Sequence, residues 1–90
     1  MGAGIVGWEI VTTASTNSAD KTLTVACAGV NNSILGGGYQ ISGVGSPDVQ
    51  KLTVVQNYPS NQTHWTVQAV EAQPVGSSWT LTAYAVCGVA

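Results

Sequence analysis

One short stretch of this sequence combines aromatic rings with uncharged polar groups, and its members are Asn57, Tyr58, Asn61, Gln62, His64 and Trp65. Such a mixture suits a sugar, because a ring stacks on the apolar face of the sugar while neutral amides and hydroxyls bond its hydroxyl groups. We therefore predict a ligand-binding site that contains Asn57, Tyr58, His64 and Trp65. A cell-surface glycan is the ligand class that these residues fit.

A structural interpretation of the tryptophans stays open beside this one. Each tryptophan alternates in phase with apolar residues, which is typical of side chains that face the core of a sheet. The three series are Trp65 with Val67 and Ala69, Trp79 with Leu81, and Trp8 with Ile10. Tyr58 and His64 instead flank a turn, so we expect both to be exposed.

The chain offers little for catalysis. General acid–base chemistry requires two carboxylates, or a carboxylate and a histidine, that converge on a pocket. We expect the acidic residues of the loops to bond local backbone, and Glu9, on the opposite face of its strand from Trp8 and Ile10, to be solvated. The sequence therefore predicts no catalytic residues and no enzymatic activity. The groups considered are Glu9, Asp20, Asp48, Glu71 and His64.

The residue types also argue against metals, cofactors and nucleic acid. Zinc needs three or four Cys, His or carboxylate ligands at suitable spacing, and calcium needs clustered acidic oxygens; the sequence has neither pattern. Lys21 and Lys51 are its basic residues besides one histidine, and the formal net charge is −2, so it cannot neutralise a row of phosphates. Its apolar stretches are only a few residues long, so we expect no membrane insertion.

The polarity of the chain is carried almost entirely by uncharged groups. Apolar residues make up 44% of it and charged residues 7%, against a charged content of about 25% in an average globular protein. Disorder would combine few apolar residues with high net charge. At 90 residues the chain predicts one domain, 1–90, close to the lower end of the size at which a chain folds unaided, so a covalent link or an oligomer interface would help it.

The two cysteines are placed to meet in a core. Cys27 shares its face of an alternating run with Leu23 and Val25, and Cys87 shares its face with Leu81, Ala83 and Ala85. We predict a Cys27–Cys87 disulfide, which contributes roughly 4 kcal/mol by closing a long loop. Two buried free thiols in a cytosolic protein are the alternative.

Six runs rich in alternating, β-branched or aromatic residues predict strands. They are approximately Ile5 to Thr13, Thr22 to Cys27, Ser33 to Ser42, Leu52 to Tyr58, His64 to Ala72, and Ser78 to Cys87. Short strands separated by turn-rich loops favour an all-β fold, a small antiparallel β-sandwich of about six strands with one disulfide. Gly36–Gly38 interrupts the third run, and we expect a bulge, a bend or a close backbone approach there.

A series of motifs in order resembles a β-domain family of bacterial and phage proteins that stands at the ends of collagen-like and tail-fibre-like proteins. The motifs are Trp8-x-Ile-Val, Cys27-x-Gly29, Ile34-Leu-Gly-Gly-Gly-Tyr39, Tyr58-Pro-Ser60, Trp65-Thr-Val67 and Trp79-Thr-Leu-Thr-Ala-Tyr-Ala-Val-Cys87. In the family the first cysteine usually stands in the motif Cys-Pro-x-Gly, and this chain has Ala28 at the position of the proline. That departure alters a turn and leaves the strand pairing alone.

The resemblance implies a disulfide-linked homotrimeric knob that serves fibre assembly and receptor attachment, outside the cell, on a cell surface or on a virion. A free-standing lectin-like glycan-binding protein is the alternative. For the homo-oligomer we expect an interface at apolar positions that face outward, among them Tyr84, Val86 and Val70, because these interrupt the polar phase and something must cover them.

Overall fold

The strands of this chain assemble into two facing sheets. The computed structural model describes residues 6–45 and 48–89, and the six strands there are β1 (Val6–Asn17), β2 (Lys21–Ala26), β3 (Ser33–Ser42), β4 (Leu52–Asn61), β5 (His64–Glu71) and β6 (Trp79–Val89). Within these residues one 3-10 turn, Asp48–Lys51, precedes β4. Sheet A has the strand order β1-β6-β3 and sheet B the order β2-β5-β4, and every pair is antiparallel.

The predicted fold class, an all-β antiparallel sandwich of six strands with one disulfide, is therefore confirmed. The expected first residue of the first strand, Ile5, lies outside the described residues.

The core lies between the two central strands. The strict alternation predicted for the last strand is present, with one face of β6 fully buried and the other half-buried. β5 faces it with the fully buried Val67 and Ala69. The buried residues of β6 are Trp79, Leu81, Ala83, Ala85 and Cys87.

A disulfide joins the sheets at one end of this core. Cys27, directly after β2, is bonded to Cys87 of β6, with 5.9 Å between their Cα atoms. The described residues contain no free cysteine, so the predicted disulfide is confirmed. We call this end of the sandwich the disulfide end.

The opposite end is closed by a buried lysine. The Lys21 ammonium lies 3.3 Å from the centre of the Trp79 ring and donates hydrogen bonds to the carbonyls of Asn17 at 2.7 Å and Ala19 at 2.8 Å. A cation over an indole face is attracted by the ring quadrupole. We call this end the lysine end.

Carboxylates complete the lysine end. Glu71 accepts a hydrogen bond from Trp79 Nε1 at 3.0 Å and a longer one from the Val75 amide at 3.3 Å. Asp20 Oδ1 accepts the Glu71 amide at 2.8 Å. Burial lowers the pKa of Lys21 below its ordinary value of 10.5, and the charges of Glu71 and Asp20 partly offset that effect.

The expected orientation of β1 is wrong. Trp8 is 61% exposed and Ile10 is 53% exposed, whereas Val11 packs against the core. The register pairs Glu9 with the buried Cys87, so Glu9 takes the inner side that the tryptophan was expected to occupy. The reason is that a neighbouring loop supplies hydrogen-bond donors to its carboxylate: Gly29 N–H donates to Glu9 Oε2 at 2.8 Å, and the Asn32 amide donates to the same oxygen.

Candidate functional site

The β4–β5 hairpin carries all four residues that the sequence predicts to bind a ligand. Its two-residue turn is closed by Asn61, whose Oδ1 accepts the Thr63 amide at 2.9 Å and lies 2.9 Å from His64 Nδ1. The turn is also fixed to both sheets, because the Cys27 amide donates to Thr63 O at 2.9 Å and the Ile34 amide donates to Gln62 O at 2.7 Å. The tip of the hairpin is thus a rigid part of the disulfide end.

The predicted residues divide between the two faces of sheet B. Asn57 is paired with the buried Val67, so Asn57 and the neighbouring Trp65 belong to the inner face. Tyr58 is paired with Thr66, and His64 lies two residues before Thr66, so both belong to the outer face because side chains alternate along a strand. The structure therefore joins Asn57 to Trp65 and leaves Tyr58 and His64 on the opposite face, so it does not bring all four residues together.

The inner pair has a structural task. Trp65 packs against the core and donates its indole N–H to Asn57 Oδ1 at 2.8 Å. A Cβ atom added to Gly37 would collide with the fused carbons of this indole and would lie 2.6 Å from the Tyr84 carbonyl oxygen. The ring therefore rests on the bare backbone of β3, which confirms the expected close approach at the glycine triplet. The expected bulge is also present, as a register shift between Ile34 and Gly36.

The outer pair adjoins a series of linked hydroxyls. Tyr58 is 47% exposed, whereas its cross-strand partner Thr66 is only 7% exposed. Thr66 Oγ1 donates to Ser60 Oγ at 2.9 Å, and Thr24 Oγ1 lies 3.1 Å from Thr66 Oγ1. We call Thr24, Thr66 and Ser60 the hydroxyl row. It crosses all three strands of sheet B beside the Tyr58 ring.

Sequence reasoning missed the hydroxyl row, since its members stand in three different strands and Thr24 is separated from Thr66 by 42 positions in the sequence. Two irregularities in β4 also determine its position, namely register shifts between Val54 and Gln56 and between Pro59 and Asn61. The second shift makes Ser60 an extra residue that faces no partner of its own. The one local signal is the polar phase of Thr22-Leu-Thr24 and of Thr66-Val-Gln68, which marks an outward face without saying which residues meet.

The outer face of sheet A differs in being apolar at the disulfide end. Here Val86 of β6 is flanked by Ile10 of β1 and by Gly36 of β3. Nothing lies within 4 Å of a Cβ added to Gly36 or Gly38, so β3 leaves this side of β6 uncovered. We call the exposed or half-buried residues here the apolar strip: Trp8, Ile10, Leu35, Tyr84 and Val86.

Each of the four carboxylates bonds another group of the fold, and the expected local backbone partner is wrong for Asp20, which accepts the amide of Glu71 across a sequence separation of 51 residues. The Gly29 amide, and next the Asn32 side chain, hold the pKa of Glu9 below its ordinary value of 4.5. Asp48 forms an ion pair with Lys51 at 3.0 Å. Asp20 and Glu71 belong to the lysine end, so the four acidic residues of the sequence do not converge on one pocket.

Comparisons with known proteins add no relative: no family model matches the chain, and no curated protein or solved structure gives a significant match. Among residues 6–45 and 48–89, no three His, Cys, Asp or Glu side chains gather as a metal site would require. The same residues include no helix with the length and apolar character needed to cross a bilayer.

Proposed function

We propose that this domain is a non-enzymatic, homotrimeric knob of a bacterial or phage surface fibre, which serves assembly and receptor attachment. The observation that carries the proposal is the apolar strip on the outer face of sheet A. Soluble monomers seldom leave a contiguous apolar surface exposed, and such patches mark interaction sites. A second and a third copy of the chain cover the strip in the proposed assembly.

Self-association fits the chemistry of this surface. The outward residues of β6 and β3 that continue the same face beyond the strip are all uncharged: Thr80, Thr82, Gln40 and Ser42. A small soluble domain normally carries more charge to resist association, and one patch reused by every subunit covers all copies at once. The proposed interface centres on Tyr84 and Val86, and not on Val70, which is paired with Thr53 on sheet B.

The remaining parts of the proposal have separate support. The Cys27–Cys87 disulfide favours an oxidising location outside the cell, because thiols stay reduced in the cytosol. The four carboxylates are bonded in separate parts of the fold, which favours a non-enzymatic role, since general acid–base catalysis needs groups that converge on a pocket. The motif resemblance supports the two remaining parts of the proposal, which are a trimer rather than a dimer and a position at the end of a fibre.

Light scattering on the purified chain tests the proposal. We expect three times the 9.2 kDa chain mass. Val86→Glu should reduce the mass to that of one chain, because it would bury carboxylates near one another in the interface. Thr22→Glu, an outward change on β2 of the other sheet, is the control and should leave the mass unchanged.

A monomeric mass for the unaltered protein would overturn the assembly. A dimeric mass would keep the interface and remove the three-fold fibre tip. Circular dichroism and the thermal unfolding of Val86→Glu establish that the variant is folded. Ile10→Glu, whose target side chain is 53% exposed and so is tolerant of charge in the monomer, provides the same test if Val86→Glu does not fold.

A further inference from the structure

We infer that the outer face of sheet B binds a neutral saccharide, with one sugar ring stacked on Tyr58 and its hydroxyls bonded by the hydroxyl row. The inference rests on the proposed attachment function and names the chemistry of what is attached. It differs from the site predicted from the sequence, because Asn57 and Trp65 belong to the inner face and take no part.

The stacking platform is the ring of Tyr58. The side chain is 47% exposed and stands beside Thr66 across the β4–β5 pair. Its hydroxyl has no hydrogen-bond partner among the described residues, so both the ring face and the phenol remain available. A ring that is anchored in a strand loses little conformational freedom when a sugar stacks on it.

The hydroxyl row has a fixed direction. Thr66 uses its proton to donate to Ser60, so the contact between Thr24 and Thr66 must be a bond that Thr24 donates. A hydroxyl has one donor and two acceptor sites, and the chain from Thr24 through Thr66 therefore ends on Ser60 with its own proton unused. Successive bonds polarise one another. Ser60 is consequently a strengthened donor, and it is exposed.

The burial of Thr66 makes this arrangement rigid. Thr66 is 7% exposed although it lies on an outer face, because Thr24, Ser60 and Tyr58 surround it. Ser60 is the extra residue of the bulge between Pro59 and Asn61, and bulges re-aim side chains next to functional sites. The donor is thus oriented before a ligand arrives, which lowers the entropic cost of binding.

The absence of charged side chains on the outer face of sheet B favours a neutral ligand. Among the described residues of β2, β4 and β5, the outward positions carry no Asp, Glu or Lys. Gln56 and Gln68, a cross-strand pair two residues from Tyr58 and Thr66, add amides that both donate and accept. A phosphate, a sialic acid or an acidic peptide would find no fixed cation here, whereas a neutral sugar matches hydroxyls and amides with its own hydroxyls.

The test uses the intact oligomer on an array of neutral glycans printed beside their sialylated and sulfated counterparts. Saturation-transfer NMR then gives the affinity for the neutral glycan that is retained most strongly. We expect Tyr58→Ala to weaken that affinity by about tenfold or more, from the loss of stacking, and Tyr58→Phe to preserve it within about twofold. Ser60→Ala, an exposed change outside the core, should also weaken it.

The control is Tyr39→Ala, because Tyr39 of β3 in sheet A is exposed to nearly the same extent, 44% against 47%. Retention of a neutral glycan that is lost in Tyr58→Ala and kept in Tyr39→Ala supports the inference. Failure to retain any neutral glycan, retention of sialylated or sulfated glycans alone, or equal loss in the two tyrosine variants overturns it. The light-scattering mass is read separately, so an oligomer that binds no sugar refutes this inference alone, and a monomer refutes the proposed assembly.

Discussion

The disulfide end and the lysine end hold the two sheets together by different chemistry. At the disulfide end a covalent bond joins Cys27 to Cys87, and the carboxylate of Glu9 ties β1 to the loop that follows β2. At the lysine end the fully buried Trp79 ring is held by an ammonium on its face and by a carboxylate at its indole N–H. The first end depends on the redox state, and the second depends on packing and on buried polar bonds.

The difference explains how a chain with so few charges closes a two-layer core. A domain of this size buries little apolar surface per residue, so each end needs more than side-chain packing. One charged residue at each end bonds backbone groups. Glu9 accepts the Gly29 amide at the disulfide end, and Lys21 donates to the carbonyls of Asn17 and Ala19 at the lysine end. Among the charged residues of the sequence Lys21 alone is buried, and the outward positions of the strands, among the described residues, carry no charged side chain.

The largest expected effect comes from removing the disulfide. In the double variant Cys27→Ala, Cys87→Ala, the free energy of unfolding should fall by about 4 kcal/mol, because the bond closes a loop spanning a sequence separation of 60 residues and limits the entropy of the unfolded chain. Urea denaturation of the variant against the oxidised protein measures the difference. A reductant should destabilise the unaltered protein and leave the double variant unchanged, and a loss below about 1 kcal/mol would contradict the assigned role.

The second-largest expected effect is a difference in stability between substitutions at two glycines of the Gly36–Gly38 triplet. Gly37→Ala should lower the free energy of unfolding by about 2 to 3 kcal/mol, because the new methyl group would overpack the Trp65 ring and the Tyr84 carbonyl. Gly38→Ala is the matched control, since its Cβ would point into open space, and its effect should stay within about 0.5 kcal/mol. Chemical denaturation measures both, and equal effects would contradict the close approach.

At the lysine end the chain provides its own control, because it has two lysines. Lys21→Met should cost about 1 to 2 kcal/mol through the loss of the cation over Trp79 and of its bonds to two carbonyls. Lys51→Met removes only a half-exposed ion pair with Asp48 and should cost about 0.5 kcal/mol or less. Thermal unfolding compares the two variants, and a similar loss in both would show that the lysine end owes nothing to its buried charge.

The regular parts of the fold could be read from the sequence. The run of Trp79, Leu81, Ala83, Ala85 and Cys87 at alternate positions determines the inward face of β6, so the core strand follows from local pattern. The same pattern places both cysteines inward, and the structure decides between a disulfide and two free thiols. The orientation of β1 could not be read in this way. It depends on the donors that Gly29 and Asn32 supply to Glu9, and these stand in a loop remote in sequence.

The candidate site shows the same limit. The sequence identifies the β4–β5 hairpin and the exposure of Tyr58, because a turn lies between the two strands. Asn57 and Tyr58 are adjacent in a regular part of β4, so alternation alone places them on opposite faces, and the sequence interpretation grouped them because it treated the stretch as one loop. The sequence does not identify the cross-strand register, since two bulges in β4 shift it against β5, and Thr66 was missed for that reason.

The smallest expected effect concerns acid, and it tests the contact that Glu9 makes at the disulfide end. The pKa of Glu9 is lowered from 4.5 chiefly by the Gly29 amide and then by Asn32, so the unfolded chain binds a proton more readily than the folded one. The stability from this group is therefore fully present above the unfolded value and is lost as the pH falls through the folded value. At pH values below about 4.5, we expect the thermal midpoint of the unaltered protein to decrease more steeply with falling pH than the midpoint of Glu9→Gln. The glutamine keeps an acceptor for the Gly29 amide but cannot titrate. Equal falls of the thermal midpoint with pH in the two proteins would contradict this, because protonation of Glu9 must weaken the hydrogen bonds that its carboxylate accepts from the loop.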